Sequence, residues 1–130
     1  MTHEIDPKDI LIRKMERKED APYVTIRQAA DTNCCIHIAY VAEGYTEDQM
    51  EQYLEDCRVA TESLFLHEPF KQLRDRFHII ALCSPSHDTD VSQPGKNIWL
   101  NTALGSHFDT FYIERYLTTL HLKQLHDWLD

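Results

Sequence analysis

Two apolar runs bracket a capped amphipathic helix, and this arrangement constrains the fold more than any other feature of the chain. Cys35-Ile36-His37-Ile38-Ala39-Tyr40-Val41-Ala42 and Phe77-His78-Ile79-Ile80-Ala81-Leu82-Cys83 are apolar at nearly every position. Such runs mark strands shielded on both faces, as in an α/β sheet. Glu43-Gly44-Tyr45 closes the first run, and Gly44 supplies a turn that accepts positive φ. Thr46 then stands as a helix N-cap with Gln49 three residues on, the pattern of a capping box. Glu47 and Asp48 fall where the helix dipole favours negative charge. Met50, Tyr53, Leu54, Cys57, Thr61, Leu64 and Phe65 recur at helical spacing and make one apolar stripe, which Pro69 ends. Strand, helix and strand make a βαβ unit, whose crossover is nearly always right-handed.

The flanks are less regular. Residues 1–22 are rich in charge around Lys14-Met15-Glu16-Arg17-Lys18-Glu19-Asp20, with Ile10-Leu11-Ile12 as the apolar cluster. They read as a linker or the tail of an upstream domain, and Tyr23-Val24-Thr25-Ile26-Arg27 alternates as a short exposed strand does. Asp31-Thr32-Asn33 supplies a turn, so residues 1–32 are set apart from a domain over 33–130. Ser84 to Lys96 is loop, broken by Pro85, Pro94 and Gly95. An edge strand is expected around Ser106–Tyr112, and a last helix from Thr118 or Thr119 with Leu122, Leu125, Trp128 and Leu129 on its inner face. The expected fold class is α/β, a small mixed sheet with two main helices. The sheet is thin for helices with such wide apolar faces, so a further strand is expected beyond the last residue.

Charge and length exclude several functions. A chain of 130 residues is long enough for one core and short for two. Its formal charge of −9 argues against a nucleic-acid or anionic-membrane surface, which needs clustered Lys and Arg. No apolar run approaches the roughly 20 residues of a membrane span. Met1-Thr2-His3-Glu4-Ile5-Asp6 is acidic and lacks the apolar segment of a secretory signal. Cys34, Cys35, Cys57 and Cys83 form no C-x-x-C pair and read as reduced thiols rather than a disulfide or zinc set.

The side chains that could carry chemistry do not assemble into a motif. His67-Glu68 opens like the zinc motif H-E-x-x-H, but Lys71 stands where the second imidazole belongs and Pro69 breaks the helix. His121 and His126 are spaced awkwardly to share a metal and are read as solvent-facing, while His37 and His78 are read as strand residues that have a satisfied bond or face a neighbouring element. Ser84, Ser86, Ser92 and Ser106 lie in no G-x-S-x-G elbow. Gly44, Gly95 and Gly105 are too far apart for a phosphate loop. The strand-to-helix turn Glu43, Gly44, Tyr45, Thr46 has the position of an anion site, yet Glu43, Glu47 and Asp48 would repel an anion, and a structural turn is the better account. No catalytic residue and no metal ligand is assigned.

The chain nevertheless resembles a known family. Ile38 through Glu47, then Phe65-Leu66-His67-Glu68-Pro69-Phe70, Arg76 through Ala81 and Ser84-Pro85-Ser86 carry the likeness. Asn101 through Tyr112 and Arg115-Tyr116-Leu117 continue it in order. Together they resemble the IgA-specific metalloendopeptidase family over about residues 33–130. Glu43 departs mildly, since many members carry Asp before that Gly-Tyr-Thr. The resemblance implies a metzincin-like zinc peptidase domain, usually exported, that acts on peptide or protein substrates. It also implies a zinc element of the H-E-x-x-H-x-x-G-x-x-H kind, C-terminal to everything present here, so no zinc or catalytic residue carries over and no cofactor is expected in this chain. By analogy with metzincins the segment Ser106, His107, Phe108, Asp109, Thr110 is expected to border the substrate cleft.

The resulting expectation is the front portion of such a domain, inactive alone and prone to self-association through exposed core. Its rivals are a stand-alone binding or scaffolding domain that kept the fold without the chemistry, and a split enzyme whose zinc helix comes from another polypeptide.

Overall fold

A computed structural model describes residues 21–129. The charge-rich opening read as linker or upstream tail lies, up to Asp20, outside them. The short strand expected next is β1 (Tyr23–Arg27), an integral strand of the sheet. The elements that follow are β2 (Ile36–Val41), a 3-10 turn at Glu47–Gln49 leading into α1 (Met50–Leu64), β3 (Phe77–Leu82) and α2 (Leu122–Leu129). The sheet runs β1-β3-β2: β3 is central, parallel to β2 and antiparallel to β1. This is a small mixed α/β sheet with two helices.

The capping box forms at its reciprocal half. The Thr46 backbone N–H donates to Gln49 Oε1 at 3.1 Å, while the Gln49 N–H returns to the Thr46 carbonyl at 3.0 Å. The helix stops at Leu64, since Pro69 has no N–H for the carbonyl of Phe65 four residues earlier and its ring would clash with it, and the chain unwinds through turns instead. On one face of the sheet Ile38, Tyr40, Phe77, Ile79 and Ala81 meet Tyr53, Cys57 and Phe65 of the helix and its end. Ile79 is fully buried, a gain of about 1.5–3 kcal/mol over leaving that side chain in water. Tyr40 donates to Thr61 Oγ1 at 3.2 Å, since Thr61 gives its own hydrogen to the Cys57 carbonyl at 2.8 Å.

Two expectations need correction. The first apolar run was read as shielded on both faces, but β2 is an edge strand whose Ile36 is 48% exposed. An apolar run reports what a strand could bury, and among the described residues only β3 pairs with it. The last helix starts at Leu122 rather than at Thr118 or Thr119, because Thr118 is held in a backbone bridge with His107 and the Thr119 hydroxyl is bonded to the Leu104 carbonyl.

Candidate functional site

The segments after β3 are anchored by a polar clasp at the C-terminal end of the sheet. Where β2 ends, the Glu43 carboxylate accepts the N–H groups of Leu104 and Ser106, each at 2.9 Å, and the Thr102 hydroxyl. Beside it Ser86, 5% exposed, accepts N–H bonds from Gly44 at 3.0 Å and Ala103 at 2.9 Å. Gly44 adopts φ +74°, and a Cβ there would lie 2.6 Å from the Asp90 carbonyl oxygen, so both conformation and space demand glycine. Ser84 donates to the Ala42 carbonyl at 2.9 Å, and Ser92 Oγ accepts the Leu100 N–H at 2.9 Å. Of the four serines considered as nucleophiles, these three spend their hydroxyls on backbone. Sequence reasoning missed this use, since each partner lies far along the chain or in an irregular loop.

The turn Glu43, Gly44, Tyr45, Thr46 thus places a carboxylate where an anion site would need a positive field. Its negative charge is directed at backbone donors of the 102–106 segment, which the clasp holds in position.

Beyond the clasp the chain does not form the expected edge strand over Ser106–Tyr112. His107 makes two isolated bridges: it exchanges backbone bonds with Thr118 at 2.9 and 3.1 Å in an antiparallel one, and a parallel one to Ser92 is carried by the Phe108 N–H, which donates to the Ser92 carbonyl at 3.0 Å. Extended structure ends there because Asp109 turns to φ 60° and its carboxylate accepts the Gly95 N–H at 2.7 Å. Phe111 and Tyr112 also take positive φ, in a 3-10 turn over Thr110–Tyr112. The end of the segment expected as a strand belongs to this turn, and the side chains of Phe111 and Tyr112 stand in solvent. His107 Nδ1 donates to the Phe108 carbonyl at 2.8 Å, and Thr110 bonds Thr118 through their hydroxyls at 2.8 Å.

A cavity of about 540 Å³ opens beside this turn, lined by Gln93, Gly95, Lys96, Phe108, Asp109 and Glu114. It brings together Phe108 and Asp109 of the expected cleft segment. Ser106 is buried in the clasp, and His107 and Thr110 are engaged with Thr118. A close approach fixes its floor, because a Cβ on Gly95 would meet Asp109 Oδ2 at 2.9 Å.

The residues matched earlier are therefore not scattered. The Glu43-Gly44-Tyr45-Thr46 turn, Ser84 to Ser86 and the 101–112 segment converge on one clasp. Over residues 24–128 the chain matches the family described as IgA Peptidase M64. This chain belongs to that family. No curated protein matches it.

Membership of the M64 family invites a search for metal ligands, and the described residues do not fit a zinc site. Among the described residues no group of three His, Cys, Asp or Glu side chains converges on a point that could hold an ion. His67 and Glu68 stand exposed in turns after α1, off the helix that the motif requires. His121 is exposed, and its Nδ1 lies 3.1 Å from the Ala103 carbonyl, while His126 is also exposed. All four thiols are free, with Cys57 buried and Cys34 exposed. Burial pushes the Cys57 and Cys83 thiols up, which disfavours the thiolate that a metal takes. No helix among the described residues is long and apolar enough to cross a membrane.

Proposed function

We propose that this chain is the part of a zinc metallopeptidase domain that precedes the metal site, and that it does not hydrolyse peptide bonds by itself. The donor set carries the reading. Metal-assisted hydrolysis needs imidazoles to hold the ion and a carboxylate to take a proton from water. In this sequence His67-Glu68 is followed by Pro69, Phe70 and Lys71, with no second imidazole a helical turn away.

What the chain contributes is surface for a peptide or protein ligand. The clasp fixes the 102–106 segment, which leads directly into Phe108 and Asp109 on the cavity wall. In this reading a peptide places one side chain in the cavity, against Phe108 and Asp109. Two assays on the purified chain test it. Stoichiometric zinc together with chelator-sensitive cleavage of peptides would sink the inactive-portion reading. Fluorescence anisotropy with a peptide library tests the surface: Phe108→Ala is expected to weaken capture, and unchanged binding removes the cavity from the account.

A second reading, a stand-alone binding or scaffolding domain, is favoured by the closed packing of Ala42, Ile79 and Ala81, each at 0% exposure. It requires a single cooperative thermal transition for the isolated chain, and a gradual melt counts against it.

A further inference from the structure

The cavity beside the Thr110–Tyr112 turn carries two carboxylates and one ammonium, and this imbalance bears on which side chain it takes. Asp109, Glu114 and Lys96 stand on its wall with Gln93, Gly95 and Phe108. The Asp109 carboxylate is fixed in place. Its Oδ2 accepts the Gly95 N–H at 2.7 Å, while Oδ1 has no donor among the described residues. Among the same residues neither Asp109 nor Glu114 forms an ion pair with Lys96. The wall therefore has one negative charge in excess, and no cation of the described residues stands over the Phe108 ring.

Elsewhere the chain shows what completes such a set. Arg27 lies over the Phe65 ring at 5.2 Å and bonds Asp75 Oδ1 at 3.0 Å, so one guanidinium meets a ring face and a carboxylate together. An aromatic face attracts a cation through its quadrupole, and the planar guanidinium fork matches carboxylate oxygens.

We propose that the cavity takes an arginine side chain of a peptide, its guanidinium against the Phe108 ring and paired with the Asp109 and Glu114 carboxylates. This assignment rests on the peptide-surface reading above and specifies its side chain. Other side chains fit worse. An acidic one meets two like charges. An apolar one strips water from the carboxylates and returns no bond. A lysine ammonium supplies the charge but is more strongly hydrated and lacks the flat face that stacks on a ring. The chain's net charge of −9 adds attraction for basic peptides, which physiological salt screens beyond about 8 Å. Glu114 and Lys96 are exposed, so changing either alters the charge of the wall without disturbing the packing.

The labelled peptide library supplies the probes, read by anisotropy at about 0.15 M salt. The tightest-bound peptide is expected to contain arginine and is remade with citrulline, the uncharged isostere, at each arginine in turn. One partly exposed ion pair and one cation–π contact together predict that a single such exchange weakens binding about tenfold. Glu114→Gln should reduce that factor to about threefold, and Lys96→Gln should raise it. Glu62→Gln removes the same charge from an exposed position on α1 and should leave it unchanged. Tightest binders that lack arginine, or that bind equally well with citrulline, while losing affinity in Phe108→Ala, overturn the arginine assignment and leave the peptide-surface reading intact. A library that binds the parent no better than Phe108→Ala removes both. Glu62→Gln as damaging as Glu114→Gln shows diffuse attraction to an acidic chain and also overturns the assignment.

Discussion

The Glu43 carboxylate accepts the Ser106 N–H at 2.9 Å across sixty-three residues of chain. That bond joins the end of the parallel pair to the start of the segment that walls the cavity. A carboxylate so placed substitutes for a capping strand: it gives backbone donors of an irregular loop the acceptor that a ladder would have provided.

Removing this acceptor should therefore loosen the loop more than the sheet. Glu43→Ala leaves the N–H groups of Leu104 and Ser106 without a partner, at about 1–3 kcal/mol for each buried donor. Glu43→Gln keeps one acceptor oxygen and should cost less, since neutral hydrogen bonds are roughly half as strong as charge-assisted ones. Urea titration of both variants measures the order, and Gln as damaging as Ala would show that charge rather than acceptor geometry holds the clasp.

Sequence patterning made the βαβ unit legible because its determinants are local or periodic. The Thr46 and Gln49 pair and the stripe from Met50 to Phe65 need no tertiary information. β2 was legible as a strand and not as an edge, since an apolar run does not say how many neighbours it will find. The turn at Asp109 was illegible for another reason. Its positive φ comes with a bond to Gly95 fourteen residues earlier, and nothing in Ser-His-Phe-Asp-Thr-Phe-Tyr announces that partner. The clasp was hidden likewise, because Ser86 and Glu43 become meaningful only when Thr102 to Ser106 lie beside them.

Gly44 offers a sharper test of the same corner. Gly44→Ala places a side chain at φ +74° and drives its Cβ to 2.6 Å from a backbone oxygen of Asp90. Positive φ alone costs about 1–2 kcal/mol for an ordinary residue, and the clash adds to it because the obstacle is backbone. The expected readout is a lower urea midpoint with an unchanged slope. A midpoint equal to the parent's would mean that the turn is not held against Asp90.

Asp88 predicts a response to acid. Its carboxyl is held below the ordinary value of 3.8, first by the Asn101 backbone N–H at 2.7 Å and then by the bond to His87. A depressed folded value means that the unfolded chain binds the proton more readily. The stabilisation is therefore complete above the ordinary carboxylate value and is lost as pH falls through the lowered one. Thermal midpoints of the parent and Asp88→Asn, followed from about pH 6 to about pH 2, should differ at the upper end and converge at the lower. A gap that persists in strong acid would contradict the assignment.

The four thiols should report the packing by their order of reaction. Cys34 is exposed, whereas Cys57 lies on α1 against Ala42, Tyr53 and Ala81 at 4% exposure. Burial raises the Cys57 and Cys83 thiols, so the reactive thiolate is scarcer at both, and Cys57 is shielded as well. Timed alkylation read by mass spectrometry should label Cys34 early and Cys57 last, with Cys57 reacting only through opening of the helix–sheet packing. Mild denaturant should then accelerate Cys57 far more than Cys34. If Cys57 instead labels alongside Cys34 in native buffer, α1 does not stay on the sheet, and the core built on Ile79 and Ala81 is open in solution.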